Sequence, residues 1–308
     1  MLPAQVAYHR PATLAEATGL LAEHHDAGAR VLAGGTELLL ALHSGRVPVS
    51  VRHLISLRDV PGLDGVHNNT DDRGLHVGAM TRLNDVARSS LVADHCPALA
   101  TAARAMAGEQ VRNHATIGGN FCGAVPCADT PPVALVADAT LEIAVPGQSH
   151  TRHVPARRFF LGPRITALQP GEILVAIYIP AARPGSAIAV QRFARRGANS
   201  LAVASVAARV TMDGERVESV RLAMGAVAPI PLLLDDCAGE PMLGNTPDDA
   251  RIDAVARRAA DAAQPITDVR GTISFRRHLV HVLTRRALQL AIATAGADVA
   301  APTRGATA

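Results

Sequence analysis

The N-terminal region of the chain alternates short apolar runs with helical patterns. The apolar runs predict strands at 5–8, 30–33 and 51–56. Between the first two runs, apolar residues recur at the spacing of one helical face: Leu14, Ala17, Leu20 and Leu21. Thr13 and Glu16 form a capping-box pattern at the start of that helix. With a second helix over 37–43, the alternation predicts a small α/β unit with right-handed crossovers.

The central region also mixes strand and helix patterns. Strands are predicted at 75–79, 140–145, 154–160 and 173–179, with Pro180 ending the last. Helices are predicted at 81–88 and 97–106, and a long glycine-containing loop follows the second. The polar run 68–72 suggests the tip of a hairpin. This region is therefore predicted to be a second mixed α/β unit.

The pattern changes after about residue 187. Three long strands are predicted at 187–193, 201–212 and 216–224, with Asp213 and Gly214 as a tight hairpin between the last two. Helices are predicted at 246–263 and 272–294. Thr246 is expected to be the N-cap of the first, with Pro247 at its first position. An antiparallel sheet followed by helices predicts an α+β domain.

Composition narrows the class of protein. The chain has 308 residues, enough for one to three domains, and is 48% hydrophobic with a formal net charge of +3. Aromatic residues make up 2% and tryptophan is absent, which disfavours the stacking surfaces of single-stranded nucleic-acid binding. No apolar run reaches the ~18 residues of a membrane span, and the N-terminus does not resemble a signal peptide. A cytoplasmic protein that binds neither nucleic acid nor membrane is expected.

Two segments contain paired glycines beside hydroxyl residues. The first is VLAGGTE at 31–37, and the second is ATIGGNFCGAVPCADTPP at 115–132. Glycine permits close approach to the backbone, and consecutive N–H groups can form a concave anion site. The two segments are predicted to close over one diphosphate-containing ligand.

The four cysteines are Cys96, Cys122, Cys127 and Cys237, and no Cys-x-x-Cys pair occurs. A zinc or iron–sulfur site normally requires four suitably placed ligands. Free thiols are therefore expected and no metal site is predicted. A redox pair of Cys122 and Cys127 is the alternative, which a reducing compartment disfavours.

Both glycine segments resemble the FAD-binding signatures of the medium, flavin-carrying subunit of molybdenum hydroxylases. That family includes the middle subunit of aerobic carbon monoxide dehydrogenase and the FAD domain of xanthine dehydrogenase. The matching stretches are VLAGGTELL, QVRNHATIGGNFCGAVPCADTPPVALVADATLEI, GEILVAIYIP, QRFARRGANSLAVASVAARV and FRRHLVHVLTRRAL. The resemblance thus extends from about residue 5 to about residue 293.

The resemblance implies a fold and a division into domains. The expected fold class is α+β, with a two-subdomain α/β FAD-binding domain of the vanillyl-alcohol-oxidase or PCMH type. A smaller domain of a three-stranded antiparallel sheet plus helices follows it. The predicted limits are 1–180 for the first domain, with subdomains of about 1–57 and 58–180, then 181–295 for the second domain. A flexible tail is predicted at 296–308.

The resemblance also implies the residues that hold FAD. From the first segment and its approach these are Val31, Leu32, Ala33, Gly34, Gly35, Thr36 and Glu37. From the second they are Thr116, Gly118, Gly119, Asn120, Gly123 and Asp129. Leu174 is expected near the flavin ring or ribityl chain, and Arg192 takes the position of a basic residue near the ring. Neither glycine pair carries Lys or Arg, so backbone N–H groups and the hydroxyls of Thr36 and Thr116 are expected to donate to the diphosphate.

Two of these assignments have simpler alternatives. Asp129 could act as an N-cap of the helix that begins near Thr130, and Arg192 could face solvent. His114 lies beside the second glycine segment, and a neutral or solvent-facing histidine is favoured over a catalytic one. No catalytic residue is predicted.

The expected function is that of an oxidoreductase subunit that transfers electrons through FAD. By resemblance, its partners are a small 2Fe–2S subunit and a large molybdopterin subunit, in a heterohexamer built as a dimer of heterotrimers. Electrons would leave to NAD, a quinone or oxygen. The alternatives are a stand-alone FAD-dependent oxidase or dehydrogenase of a small organic substrate, and a non-catalytic assembly subunit. The sequence identifies neither the substrate of the complex nor the acceptor.

Overall fold

The structure is a computed structural model that describes residues 6–45, 51–69, 74–234 and 236–300. Its helices are α1 (Leu14–Glu23), α2 (Leu38–His43), α3 (Leu83–Arg88), α4 (Ser90–His95), α5 (Pro97–Ala105), α6 (Glu109–Arg112), α7 (Ile117–Cys122), α8 (Pro131–Val136), α9 (Asp249–Ala262) and α10 (Ile273–Ala300). Short 3₁₀ turns lie at Ala156–Arg158 and Asp236–Met242.

The strands form three main sheets and one small ribbon. They are β1 (Ala7–His9), β2 (Ala29–Leu32), β3 (His53–Ser56), β4 (Val66–Asn68), β5 (Leu75–Gly78), β6 (Thr140–Ala144), β7 (Thr151–Pro155), β8 (Phe160–Gly162), β9 (Ile165–Thr166), β10 (Ile173–Ile179), β11 (Ser186–Ala194), β12 (Ala202–Asp213), β13 (Arg216–Gly225) and β14 (Leu232–Leu234). The mixed α/β architecture predicted from the sequence is confirmed.

The N-terminal unit is a three-stranded parallel sheet in the order β1–β3–β2, with α1 packed against it. Ala17 on α1 and Ile55 on β3 are fully buried in the same core cluster. The capping box is present in altered form, because the Thr13 hydroxyl accepts from the Glu16 N–H while Glu16 accepts from the N–H of Ala12. In a standard capping box the Glu16 carboxylate would instead accept from the N–H of Thr13. Residue 5 of the first predicted strand lies outside the described residues.

The second unit is a five-stranded antiparallel sheet in the order β4–β5–β10–β6–β7. β4 and β5 form the expected hairpin, while residues 70–72 of its predicted tip lie outside the described residues. Helices α3, α5, α7 and α8 contribute to the largest core cluster together with this sheet. Strand β10 ends before Pro180, as predicted.

The C-terminal unit is a four-stranded antiparallel sheet in the order β11–β12–β13–β14, with α10 packed on it and α9 packed against α10 and the 3₁₀ turn Asp236–Met242. The three predicted strands are present, and β14 adds a short fourth strand at the edge. Pro229 and Pro231 directly precede β14 in the sequence, and prolines in or beside an apolar run argue against a strand except at an edge.

Two helix ends in this unit differ from the predictions. The N-cap of α9 is Asp248 rather than Thr246, and its carboxylate accepts from the N–H of Arg251 at 2.8 Å. A carboxylate also complements the helix dipole at this position. Helix α10 continues to Ala300, past its predicted end at residue 294 and into the predicted tail, and the rest of that tail lies outside the described residues.

The second and third units share core packing. Ala207 on β12 and Ala223 on β13 are fully buried in the same cluster as the five-stranded sheet, and α8 packs against both strands. Asp138, just after α8, forms ion pairs with Arg209 and Arg221 of the C-terminal sheet. The domain limits given above remain predictions. No helix among the described residues has the length and apolar character required to span a membrane.

Candidate functional site

The first glycine segment forms a turn between β2 and α2. Val31 and Leu32 end β2, and the turn residues 33–37 follow, with Gly35 at a φ of 74°. That φ lies in the left-handed region that favours glycine. None of the backbone N–H groups of residues 33–37 has a hydrogen-bond acceptor within the described part of the chain. The same holds for the hydroxyl of Thr36. The turn therefore presents consecutive free donors, as an anion site requires.

Gly34 lies directly against the segment that precedes α7. A Cβ placed on Gly34 would come within 1.9 Å of the carbonyl oxygen of His114 and 3.0 Å of the Cα of Ala115. Both contacts are with backbone atoms, so only a residue without a side chain fits here. The structure thus brings the two predicted segments together, with the turn 33–37 touching the N-terminal approach to α7.

The second glycine pair differs from the prediction, because it lies inside helix α7 rather than in a loop. The N–H of Gly118 donates to the carbonyl of Ala79 at 2.8 Å, and that of Gly119 donates to the Thr116 hydroxyl at 3.0 Å. The next N–H, of Asn120, donates to the carbonyl of Thr116. The N–H groups that were expected to be free donors in the second segment are therefore already hydrogen-bonded to acceptors within the chain.

The physical reason for Gly118 is packing. A Cβ at this position would lie 2.6 Å from the carbonyl oxygen of Ala79, so glycine lets α7 approach the end of β5. Thr116 serves as the N-cap of α7 and is buried. Its hydroxyl accepts a hydrogen bond there and keeps its own proton available for donation. This segment fixes the position of α7 behind the free donors of the turn 33–37.

Glu37 closes the side of the turn next to Gly123. Its carboxylate accepts from Arg164 at 2.6 Å, and Arg164 lies in the turn between β8 and β9. Gly123 lies beside Glu37, since a Cβ on Gly123 would come within 4.0 Å of the Glu37 Cγ. The arginine balances the only carboxylate of the turn 33–37, which favours an anionic ligand there. Arg164 was not predicted from the sequence, because 127 residues separate it from Glu37.

Asn120 links α7 to the residues just before α8, in the same glycine segment. Its side-chain oxygen accepts from the Thr130 hydroxyl at 2.6 Å, and Thr130 is fully buried. The amide nitrogen of Asn120 lies 3.5 Å from the sulfur of Met106. Asn120 and Thr130 thus hold the neighbouring Asp129 in a fixed place.

Asp129 and Arg192 form an ion pair at 2.8 Å, and both side chains are largely buried. Burial raises the pKa of Asp129, and the charge and hydrogen bond of Arg192 oppose that rise. The guanidinium also donates to the carbonyl of Ser200. Arg192 therefore does not face solvent, and the Asp129 carboxylate is directed to Arg192 rather than to the start of α8.

The pair lines a cavity of about 240 Å³ between α5 and the C-terminal sheet. Its other walls are Thr101, Ala102, Ala105, Val190, Gln191 and Ser205. The Ser205 hydroxyl is buried without a hydrogen-bond partner among the described residues. A cavity with a buried cation, a carboxylate and a free hydroxyl can bind a polar group of a ligand.

Leu174 occupies a different environment from the other predicted site residues. It lies in β10 at the centre of the five-stranded sheet and is 3% exposed. In the described structure it is a core residue in the same cluster as Ile117 and Phe121 of α7. Its place near the flavin ring or ribityl chain stays a prediction.

His114 faces solvent, and the cysteines of the second glycine segment are free thiols. The His114 side chain is exposed and makes no hydrogen bond within the described structure. All four cysteines are free. Burial raises the pKa of Cys122 to about 12 and also raises that of Cys127, where Arg270 opposes the effect. Both thiols are thus held in the protonated, unreactive form.

Comparison with known proteins gives two matches to family models. One, described as the FAD binding domain in molybdopterin dehydrogenase, matches residues 4–182. The other, described as the CO dehydrogenase flavoprotein C-terminal domain, matches residues 189–291.

Relatives match over nearly their full length. The chain is 34% identical over 292 residues to the xanthine dehydrogenase FAD-binding subunit of Escherichia coli O157:H7, covering 94% of this chain and 97% of that one. It is 31% identical to the carbon monoxide dehydrogenase medium chain of Afipia carboxidovorans, with 96% and 99% covered.

Solved structures agree. A chain of the carbon monoxide dehydrogenase from Hydrogenophaga pseudoflava superposes with a TM-score of 0.87 at 32% identity, covering 95% of this chain and 99% of that chain. A chain of quinoline 2-oxidoreductase from Pseudomonas putida 86 gives 0.86 at 30% identity, with 96% and 99% covered.

Proposed function

Because the chain belongs to the family of FAD-binding medium subunits of molybdenum hydroxylases, we propose that it transfers electrons between two partners through a bound FAD. Electrons would arrive from a 2Fe–2S subunit and leave to NAD, a quinone or oxygen. Oxidation of the organic substrate would take place on a separate molybdopterin subunit. When bound, FAD supplies the redox chemistry, and the protein supplies its position and surroundings.

The observation that carries this proposal is the row of free N–H groups at residues 33–37, closed against the backbone of His114. A diphosphate is the part of FAD that such a row of donors would bind. Charge-assisted hydrogen bonds of this kind each contribute about 1.5–3 kcal/mol. Arg164 neutralises Glu37, so the turn carries no uncompensated negative charge that would repel the diphosphate.

The remaining residues receive roles according to their contacts. Ala33, Gly34, Gly35 and Thr36 would hold the diphosphate, with Thr116 as a further donor. Gly118, Gly119, Asn120 and Gly123 would form the wall behind it, since they fix α7 and its exit. Asp129 and Arg192 would bind a polar part of the cofactor through the adjoining cavity.

We further propose the assembly and the compartment. A small 2Fe–2S subunit and a large molybdopterin subunit would bind this chain, and two such trimers would form a heterohexamer. The names of relatives such as the nicotine 6-hydroxylase medium subunit of Paenarthrobacter nicotinovorans support a multi-subunit complex. A cytoplasmic location agrees with four free thiols, because disulfides mark oxidising compartments.

The test is reconstitution of the purified chain with FAD. The expected result is stoichiometric uptake of FAD, with a flavin spectrum that differs from that of free FAD. Incubation with organic substrates of molybdenum hydroxylases should leave this flavin oxidised until both partner subunits are added. Flavin reduction by such a substrate without partners would support the stand-alone oxidase. Absence of FAD uptake would contradict the proposal and favour an assembly subunit.

A further inference from the structure

Three histidines lie together on the N-terminal sheet, outside the site described above. His9 ends β1, His53 begins β3, and His24 follows the end of α1. One ring nitrogen from each lies within 4.8 Å of the corresponding nitrogens of the other two. All three side chains are partly exposed, so a solute ion can reach them.

The backbone fixes the positions of these histidines. In the parallel pairing of β1 and β3, His53 is the partner of Ala7, and His9 is two residues further along β1. Residues two apart on a strand point to the same face, so His9 and His53 share a face. The carbonyl of His24 accepts from the N–H of Ala29, which is the partner of His53 in β2. The sheet therefore holds three imidazoles in place before any ligand binds.

The rings are too close for all of them to carry a proton on both nitrogens. The His9 Nε2 and His53 Nδ1 atoms lie 2.9 Å apart, so one of them donates to the other. The rings of His24 and His53 are stacked with centroids 4.0 Å apart. Partial burial and the neighbouring imidazoles lower the pKa of His53, which favours the neutral ring that a metal ion binds.

Imidazole nitrogens at these separations suit a divalent transition-metal ion. In a tetrahedral site with Zn–N bonds of about 2.1 Å, ligand nitrogens are about 3.4 Å apart. To bind one ion, His9 and His53 give up their mutual hydrogen bond and the His24 ring turns out of its stack on His53. Imidazole is a preferred ligand of Zn²⁺, Cu²⁺ and Ni²⁺. A carboxylate oxygen of Glu23 lies 4.0 Å from the His24 Nε2 and adds negative charge. Arg52 is the nearby positive charge that opposes a cation.

We propose that His9, His24 and His53 form a binding site for Zn²⁺ or a similar transition-metal ion. The site connects β1, the end of α1 and β3, and it stabilises the N-terminal unit. It lies at the opposite end of the parallel sheet from the glycine turn, because His53 pairs with the first residue of β2 and the turn follows the last. The two ends of β2, Ala29 and Leu32, lie about 10 Å apart along the strand. The site shares no residue with the glycine turn, so its test is independent of the proposed electron transfer.

The experiment measures metal binding by the full chain, purified without a polyhistidine tag and treated with a chelator. Zn²⁺ is titrated by calorimetry, and Co²⁺ is used as a spectroscopic probe because a tetrahedral nitrogen site gives visible d–d absorption. We expect one Zn²⁺ per chain and a rise in the thermal midpoint on Zn²⁺ addition. His24→Ala and His53→Ala should each weaken Zn²⁺ binding by roughly tenfold or more.

His25→Ala is the matched control, since His25 is exposed and adjacent to His24 but outside the cluster. It should bind Zn²⁺ like the unaltered chain. His24→Gln, at a position after the helix end, serves as a second variant should His53→Ala not fold. No Zn²⁺ uptake by the unaltered chain, or equal affinity in the His24 variants, would overturn the proposal.

Discussion

At the scale of single residues, Gly34 has the most restricted environment of the candidate site. A Cβ there would lie 1.9 Å from a backbone carbonyl oxygen, and neither partner can rotate away. Gly34→Ala should therefore separate the turn 33–37 from the approach to α7. We expect a loss of about 1–3 kcal/mol in the free energy of unfolding and roughly tenfold or more weaker FAD binding. Urea denaturation and FAD titration measure the two effects.

Gly19→Ala is the control for that substitution. Gly19 lies on the exposed face of α1, and a Cβ there meets no atom within 4 Å. Alanine favours a helix interior over glycine by about 0.5–1 kcal/mol, so this variant should gain stability and keep its FAD affinity. Equal FAD affinity in both variants would show that contact between the two segments is not required.

The buried pair of Asp129 and Arg192 gives a second residue-scale prediction. Arg192→Gln leaves a buried carboxylate without its cation, and breaking such a pair costs about 3–5 kcal/mol. The pKa of Asp129 is already above its ordinary value, so the folded state takes up a proton more readily than the unfolded state. This contribution favours the fold at low pH and is lost as pH rises through the folded pKa. Without Arg192 that pKa rises further.

The destabilisation by Arg192→Gln should therefore be larger at pH 8 than at pH 5. Denaturant titrations at both pH values measure it. Arg196→Gln is the control, because Arg196 is exposed and donates only to the carbonyl of Asn199 within the described structure. A loss in the free energy of unfolding that is the same at both pH values would contradict the assignment of the effect to Asp129.

At the scale of elements, periodic patterns predicted the long strands and helices, while the second glycine pair was wrongly predicted to lie in a loop. Strand β12 and helix α9 stand within a few residues of their predicted limits because their apolar faces are long and regular. The pair Gly118 and Gly119 favoured a loop, since glycine is a poor helix former. Packing against the end of β5 outweighs that preference and places both in α7.

Contacts between distant segments account for what the sequence did not reveal of the site. The resemblance identified Asp129 and Arg192 separately, but their pairing depends on how β11 lies against α5 and α8. Arg164 was missed because a lone arginine in a short turn gives no periodic signal. The turn 33–37 was predictable, because its free donors follow from local sequence alone.

The start of α10 gives a prediction at the same scale. Arg276 is 1% exposed and donates to the carbonyls of Val203 and Ala226 and to the carboxylate of Asp268. Burial acts to raise the pKa of Asp268, but hydrogen bonds from Arg270 and Arg276 hold it far below the usual value. Asp268→Asn should lower the free energy of unfolding at pH 7 by about 2 kcal/mol.

The sign of the pH dependence follows from the lowered pKa. A carboxyl with a lowered folded pKa stabilises the fold above its unfolded pKa, and that stability is lost as pH falls towards the folded pKa. The difference in the free energy of unfolding between Asp268→Asn and the unaltered chain should therefore narrow below about pH 4. Asp261→Asn is the control, since Asp261 is exposed on α9 and forms no ion pair with the described residues. A gap that stays constant down to pH 3 would exclude this role of Asp268.

At the scale of the whole molecule, the FAD-binding region and the C-terminal region depend on one another. Ala207 and Ala223 of the C-terminal sheet are buried in the core of the five-stranded sheet. Arg192, on β11, compensates the charge of Asp129 in the FAD-binding region. Neither region is therefore complete without the other, and the two should unfold as one cooperative unit despite the two family models that match them separately.

A substitution at Asp138 tests this dependence, because its carboxylate forms ion pairs with Arg209 and Arg221 of the C-terminal sheet. Its φ is 57°, a value that Asn also tolerates, so Asp138→Asn removes the charge and keeps the backbone. These side chains are partly exposed, so we expect a loss of about 1 kcal/mol in total and a fall of roughly 2–4 °C in the thermal midpoint. Circular dichroism and release of bound FAD should still report the same single transition. Two separate unfolding transitions in the unaltered chain would show instead that the shared core does not couple the two regions. The ion pair of Arg192 with Asp129 would then have to form after each region had folded.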